Sequence, residues 1–227
     1  MSLFRQAGRV AWKDLRIELR SKEIIFTMVF FGALLVVVNT LAFPRDIRLV
    51  RGAAPGMLWA VMAFVGTIGL GRAFDREREN DTMRALLLSP APRLAIFLGK
   101  ALGICGLVLA MTVVVVLGLS IFLDLPDLVA HPLPLGCALL LGSIGFANVG
   151  TVFAATLLKV RSRDVLLPVI VYPLLFPVFM AGIYATDFLI QEKPNLDAAW
   201  YWISLLGIYD AAFLVVSVWT FESLVIE

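Results

Sequence analysis

The chain has 227 residues, 61% of them hydrophobic and only 16% charged, with a mean hydropathy of +0.95 and a net charge of +2. An average soluble protein is roughly 25% charged, so this composition leaves no surface for water and excludes a soluble enzyme, a disordered tail and a coiled coil. Cys105 and Cys137 lie far apart inside apolar runs, which excludes a thioredoxin motif, a zinc ligand set, covalent haem attachment and a disulfide framework.

At 100° per residue, Arg5, Arg9, Lys13, Arg16 and Arg20 fall in one stripe about 80° wide, with Phe4, Ala7, Ala11 and Leu15 opposite. The pattern predicts an amphipathic helix over residues 3–22, lying in the membrane interface with its bases against lipid phosphates. Asp14 and Glu18 project with the apolar face. A helix that only floats on lipid has no use for carboxylates there, so both are expected to meet a protein partner or the chain's own cytoplasmic loop.

Six apolar runs follow, at 24–43, 53–70, 101–123, 133–158, 165–186 and 198–221. About 20 such residues cross the hydrocarbon of a bilayer. The runs are continuous, whereas barrel strands alternate. The first is too long for a secretory signal and has no small-x-small cleavage site after it. The predicted fold is therefore all-α: a polytopic membrane protein with six transmembrane helices and an N-terminal interfacial helix, forming a single membrane domain over 1–227. Basic residues orient it. Six precede the first span, six lie between spans 2 and 3 and three between spans 4 and 5, leaving Arg45, Arg48, Arg51 and Lys193 of the 19 Lys and Arg for the other side. The positive-inside rule then puts both termini in the cytoplasm.

The longest polar segment, 72–100, is expected to be a cytoplasmic coupling loop. It opens with the charged run Asp75 to Asp81, where Asn80 or Asp81 can cap a helix. A short helix from Thr82 to Leu88 would carry Met83, Leu86 and Leu87 on one side, and Pro90 would stop it. This reads as a docking peg for a cytoplasmic protein, or else as a charged loop that happens to be helical.

Inside the spans, Asp210 is the one charge at depth, costing about 2.5–3.5 kcal/mol to insert. It is expected to have either a role or a polar partner, with Asn148 a candidate on polarity alone. Pro168, Pro173 and Pro177 each remove a backbone donor from span 5 and predict a kinked or broken helix, a possible hinge. Ala95, Gly99 and Gly103 form a small-xxx-small row that permits close helix packing. His131 is the only histidine, in an outer loop, and with no second histidine it is not read as a haem ligand.

The layout, with Phe74-x-x-Glu77, then Leu86-Leu-Leu-Ser-Pro90 and Gly99-Lys100 between spans 2 and 3, resembles the CcmB family over essentially the whole chain. These are permease subunits of the haem-exporter ABC complex of cytochrome c maturation; other ABC-2-type permeases share the layout. The resemblance implies haem as substrate and ATP on a partner chain. It implies as partners a CcmA-like ATPase, CcmC- and CcmD-like membrane subunits, a haem chaperone at the outer face and a second copy of the chain. The implied location is the bacterial inner membrane. The residues agree that this chain is not the motor. It carries no GxxxxGK[ST], since Gly99-Lys100 is followed by alanine, and no catalytic pair, metal-ligand cluster or nucleic-acid-binding pattern. The rival within the same fold is a permease for lipid, polysaccharide or drug. A secondary transporter would need carboxylates in several spans.

The orientation is testable in a chain lacking Cys105 and Cys137. A cysteine at His131 or Asp197 is expected to label from outside with an impermeant thiol reagent, and one at Arg161 is expected not to; the reverse pattern overturns the topology.

Overall fold

The computed structural model describes residues 3–42, 46–79, 92–157, 160 and 162–224. Among these it is helical throughout, with no strand: α1 (Leu3–Ser21), α2 (Glu23–Ala42), α3 (Ile47–Glu79), α4 (Arg93–Phe122), a 3₁₀ turn (Pro126–Val129), α5 (Pro132–Thr156), α6 (Arg163–Ile190) and α7 (Leu196–Leu224). Six of them, α2 to α7, are long and apolar enough to cross a bilayer. The chain is a multi-pass α-helical membrane protein. The end of the bundle that carries the 80–91 and 157–162 connections is called the basic end below.

Local chemistry sets the boundaries. α1 stops at Lys22, whose φ of 58° is left-handed, a common way to end a helix. Glu18 then reaches forward: its Oε1 accepts from the backbone N–H of Ile24 at 2.6 Å and of Ile25 at 3.2 Å. It thereby satisfies first-turn donors of α2 that have no partner within their own helix. Asp46 does the same for α3 by accepting from the N–H of Arg48 at 2.9 Å, so α3 begins at Ile47, six residues ahead of the apolar run. α3 also stays helical through Glu79, and α4 starts directly after Pro92. The expected loop at 72–100 therefore narrows to a connection over 80–91. The Asp-Arg-Glu-Arg-Glu run at 75–79 consists mostly of good helix formers, and proline is at home at a helix start.

α6 runs unbroken from Arg163 to Ile190 although Pro168, Pro173 and Pro177 lie inside it; the expected break does not occur. The Tyr209 hydroxyl of α7 donates to the carbonyl of Leu174. That site adjoins the Pro173 carbonyl, which lost its partner to Pro177.

α5 is the most enclosed crossing helix, while α2 and α7 are the least enclosed. The packing around α5 turns on Trp59 of α3. Its indole is 1% exposed, and its Nε1 donates to Thr186 Oγ1 of α6 at 3.1 Å. The ring fills space that side chains at Gly142 and Gly182 would otherwise occupy. Elsewhere Phe146 closes on Gly66, and Met28 on Gly69. Large side chains seated on glycines thus let α3, α5 and α6 approach one another closely.

Gly182→Ala is expected to overpack this junction at a cost of about 1–3 kcal/mol, seen as a lower thermal midpoint of the purified protein in detergent. Trp59→Leu in the same background should recover part of the loss. Gly136→Ala, where an added Cβ meets nothing within 4 Å, should leave the midpoint unchanged.

Candidate functional site

The features that could couple this bundle to another protein gather at the basic end, where α1, α3 and α4 meet. α1 does not stand away from the bundle; it lies lengthwise along α4. Val10 and the Ala7 carbonyl sit on Gly99, Ala11 and Asp14 lie near Gly103, and Leu15 lies near Gly106. The contacts advance together along both chains, so the two helices run in the same direction. A Cβ at Gly99 would come within 2.6 Å of Val10 Cβ, closer than carbon atoms approach. The small-residue row therefore has a partner, and it is the N-terminal helix.

At this seam Asp14 Oδ2 pairs with Lys100 Nζ at 2.9 Å, while Oδ1 pairs with Lys13 at 3.0 Å. Lys100 is 8% exposed, and its ammonium also lies 5.9 Å from the centroid of the Phe74 ring. Phe74 and Lys100 bracket the 80–91 connection, so they join its two roots and Asp14 ties α1 to both. Glu18 is only 3% exposed and caps α2. Both carboxylates thus engage helices of this chain, Asp14 on α4 and Glu18 on α2.

The opposite side of α1 is exposed. Arg5, Arg9, Lys13, Arg16 and Arg20 line it with Trp12 and Ile17, around a crevice of about 560 Å³. Not every base of this end is available to lipid. Arg163 at the start of α6 is fully enclosed, and its Nη2 donates to the Gly71 carbonyl of α3 at 2.7 Å. The expected docking residues Asp81, Met83, Leu86, Leu87 and Pro90 lie outside the described residues.

Asp210 lies midway along α7 and is 5% exposed. A Cβ at Gly145 of α5 would lie 2.5 Å from its Oδ1, with Val178 of α6 beside it. Neither carboxyl oxygen has a hydrogen-bond partner among the described residues. Asn148, also buried, is therefore not hydrogen-bonded to it.

At the far end, Arg51 pairs with Asp127 at 2.5 Å and with Glu192 at 3.6 Å. These pairs join the start of α3 to the 3₁₀ turn and to the α6–α7 connection. His131 borders the same polar pocket of about 370 Å³. Among the described residues, no three of His, Cys, Asp or Glu converge as a metal site would require.

Sequence reasoning missed Lys100 as an ion-pair partner, Arg163 as an enclosed donor and Arg51 as the centre of an outer cluster. Arg163 and Arg51 enter the sequence reading only as topogenic bases, and Lys100 only as a base and as part of the Gly99-Lys100 stretch. A lysine or arginine bordering an apolar run, with a small-residue row or a lone carboxylate on a neighbouring element, was the available signal.

Six apolar crossings with an N-terminal helix packed on α4 define a multi-pass α-helical membrane protein. The chain matches the CcmB protein family over residues 5–225 and belongs to it. It is 28% identical to Heme exporter protein B of Pseudomonas aeruginosa over 180 residues, 78% of each chain. It is also 28% identical to Heme exporter protein B of Bradyrhizobium diazoefficiens over 189 residues, 82% of this chain and 83% of that one.

Removing one member of an enclosed ion pair strands the other. Lys100→Glu is therefore expected to free α1 from α4, seen as faster proteolysis within residues 3–21 and a lower thermal midpoint. Asp14→Lys combined with Lys100→Glu should restore part of both. A coupling energy in the range of about 0.5–3 kcal/mol from the full mutant cycle would measure the contact, and a coupling of zero would refute it.

Proposed function

We propose that this chain is the membrane subunit of an ABC complex that exports or delivers haem for c-type cytochrome biogenesis, with the basic end in the cytoplasm of a bacterial inner membrane. The observation that carries the reading is the family match over residues 5–225, together with relatives named as haem exporters across about four fifths of the chain. The chain has no Walker sequence, so ATP is hydrolysed on a CcmA-like partner. That partner docks on the 80–91 connection, through Met83, Leu86 and Leu87 with Asp81 and Pro90 as helix start and stop. Six crossings are half of the usual ABC membrane unit, so a second copy completes it. CcmC- and CcmD-like subunits and a haem chaperone complete the assembly.

The geometry at the roots of the connection supports a coupling role. Phe74 and Lys100 close its base, and Asp14 links that base to α1. A force applied at 80–91 would therefore reach α1, α3 and α4 together. The basic, Trp12-bearing side of α1 is suited to anionic lipid headgroups beside the dock. Pro168, Pro173 and Pro177 give α6 a stretch with fewer internal hydrogen bonds, where it can flex as the complex turns over. With one histidine and no haem-ligand pair on the chain, the favoured action is remodelling of the complex to release a loaded haem chaperone, rather than passage of haem between these helices.

Leu87→Asp, or Met83→Asp with Leu86→Asp, is expected to leave membrane insertion intact and abolish copurification of the ATPase. Burying each of these side chains contributes about 1.5–3 kcal/mol, and a charge among them would have to be desolvated in the dock. Retained ATPase binding with lost cytochrome c maturation would refute docking at this segment. ATP hydrolysis by the purified chain alone would refute the division of labour.

A further inference from the structure

Hydroxyls in this bundle have a default solution. Thr112, Ser143 and Thr186, all buried, each donate to the carbonyl four residues back in their own helix. Thr40, Thr67, Thr156 and Ser204 do the same. Thr151 of α5 and Ser217 of α7 do not. Each is 1% exposed, and neither hydroxyl has a hydrogen-bond partner among the described residues.

Their placement relates them to Asp210. α5 and α7 run in the same direction, since Leu141 sits by Gly207 and Gly145 by Asp210. Ser217 is two helical turns beyond Asp210, on the same face of α7 and about 10 Å nearer the basic end. Thr151 lies six residues beyond Gly145 and so at the depth of Ser217. Asn148, 4% exposed, lies between Gly145 and Thr151. On the facing helix, Cys105 of α4 lies within Coulombic range of Asp210. Along the seam between α5 and α7, Asp210 and Ser217 thus lie in a row on one face of α7, and Thr151 lies on α5 at the depth of Ser217, none of the three with a side-chain hydrogen-bond partner among the described residues.

An unsatisfied buried polar group costs about 1–3 kcal/mol. Thr151 and Ser217 lack the local bond that those other hydroxyls make, and the Asp210 carboxyl has no partner either among the described residues; together they call for a small ligand that can donate and accept. Water meets that need, because it binds in enclosed polar sites that offer it two to four partners. A metal site of the usual kind is not supported there, because no three of His, Cys, Asp or Glu converge among the described residues. We propose that this seam holds a short file of water that connects Asp210 with the basic end of the bundle. The inference is independent of what the complex transports.

The test uses the assembled complex in lipid nanodiscs, with Cys105→Ala and Cys137→Ala as background and aminoethyl methanethiosulfonate as the probe of hydrated, ionised thiols. Thr151→Cys and Ser217→Cys are expected to react about tenfold faster than Val149→Cys and Leu206→Cys, which sit on the same two helices at 0% exposure. Equal rates at all four positions overturn the proposal. A second measurement needs no cysteine variant. Under radiolytic hydroxyl footprinting of the unsubstituted complex, Cys105 of α4, 9% exposed, is expected to be oxidised far more than equally exposed Met111 and more than enclosed Met28. Oxidation of Cys105 no greater than that of Met111 or Met28 also overturns the proposal.

Discussion

Hydrocarbon offers no hydrogen bonds, so every donor, acceptor and charge that enters the bilayer must be met from within the protein or by water it carries in. The junctions of this bundle follow from that constraint. The first-turn N–H groups of α2 are met by Glu18, reaching across the left-handed turn at Lys22. α6 keeps its helix through three prolines, with Tyr209 supplying a donor beside the kink-prone stretch. Trp59 can be buried at the centre only because Thr186 accepts from its indole. Lys100 can sit within a crossing helix because Asp14 comes with α1 to meet it.

Close approach is what makes these contacts reachable. Glycine on one helix receives a large side chain, or the backbone, of another: Gly99 receives α1, Gly142 and Gly182 receive Trp59, and Gly145 receives the Asp210 carboxyl. In a membrane there is little hydrophobic gain from pairing helices, so shape and polar bonds carry the association. The same logic separates the two carboxyls that stand out in the sequence. Asp14 is paired and holds an element in place, whereas Asp210 is enclosed with neither oxygen hydrogen-bonded among the described residues. The first is architecture at the root of the 80–91 connection, and the second belongs to the seam that we read as hydrated.

Much of the fold was legible before any coordinates. The six crossings follow from run length against bilayer thickness, and the N-terminal helix from the arc of its bases. Their ends were not legible, because caps such as Asp46 and Glu18 act on backbone that hydropathy does not weigh. Gly99-Lys100 stood out as part of a family-like stretch, yet its physical meaning lay in Val10 and Asp14, far away along the chain.

The sequence by itself determined that the chain has six runs long enough to cross a membrane, that its bases cluster in alternate connections and that it carries no Walker sequence. The tertiary structure alone decided that α1 lies on α4, that Arg163 is enclosed against Gly71 and that Asp210 faces Gly145. The physical reason is that α2 to α7 are apolar on every side. Their hydrophobic pattern states depth but names no facing surface. Which sides meet is settled only when glycines, bulky side chains and the few polar groups are fitted together in space.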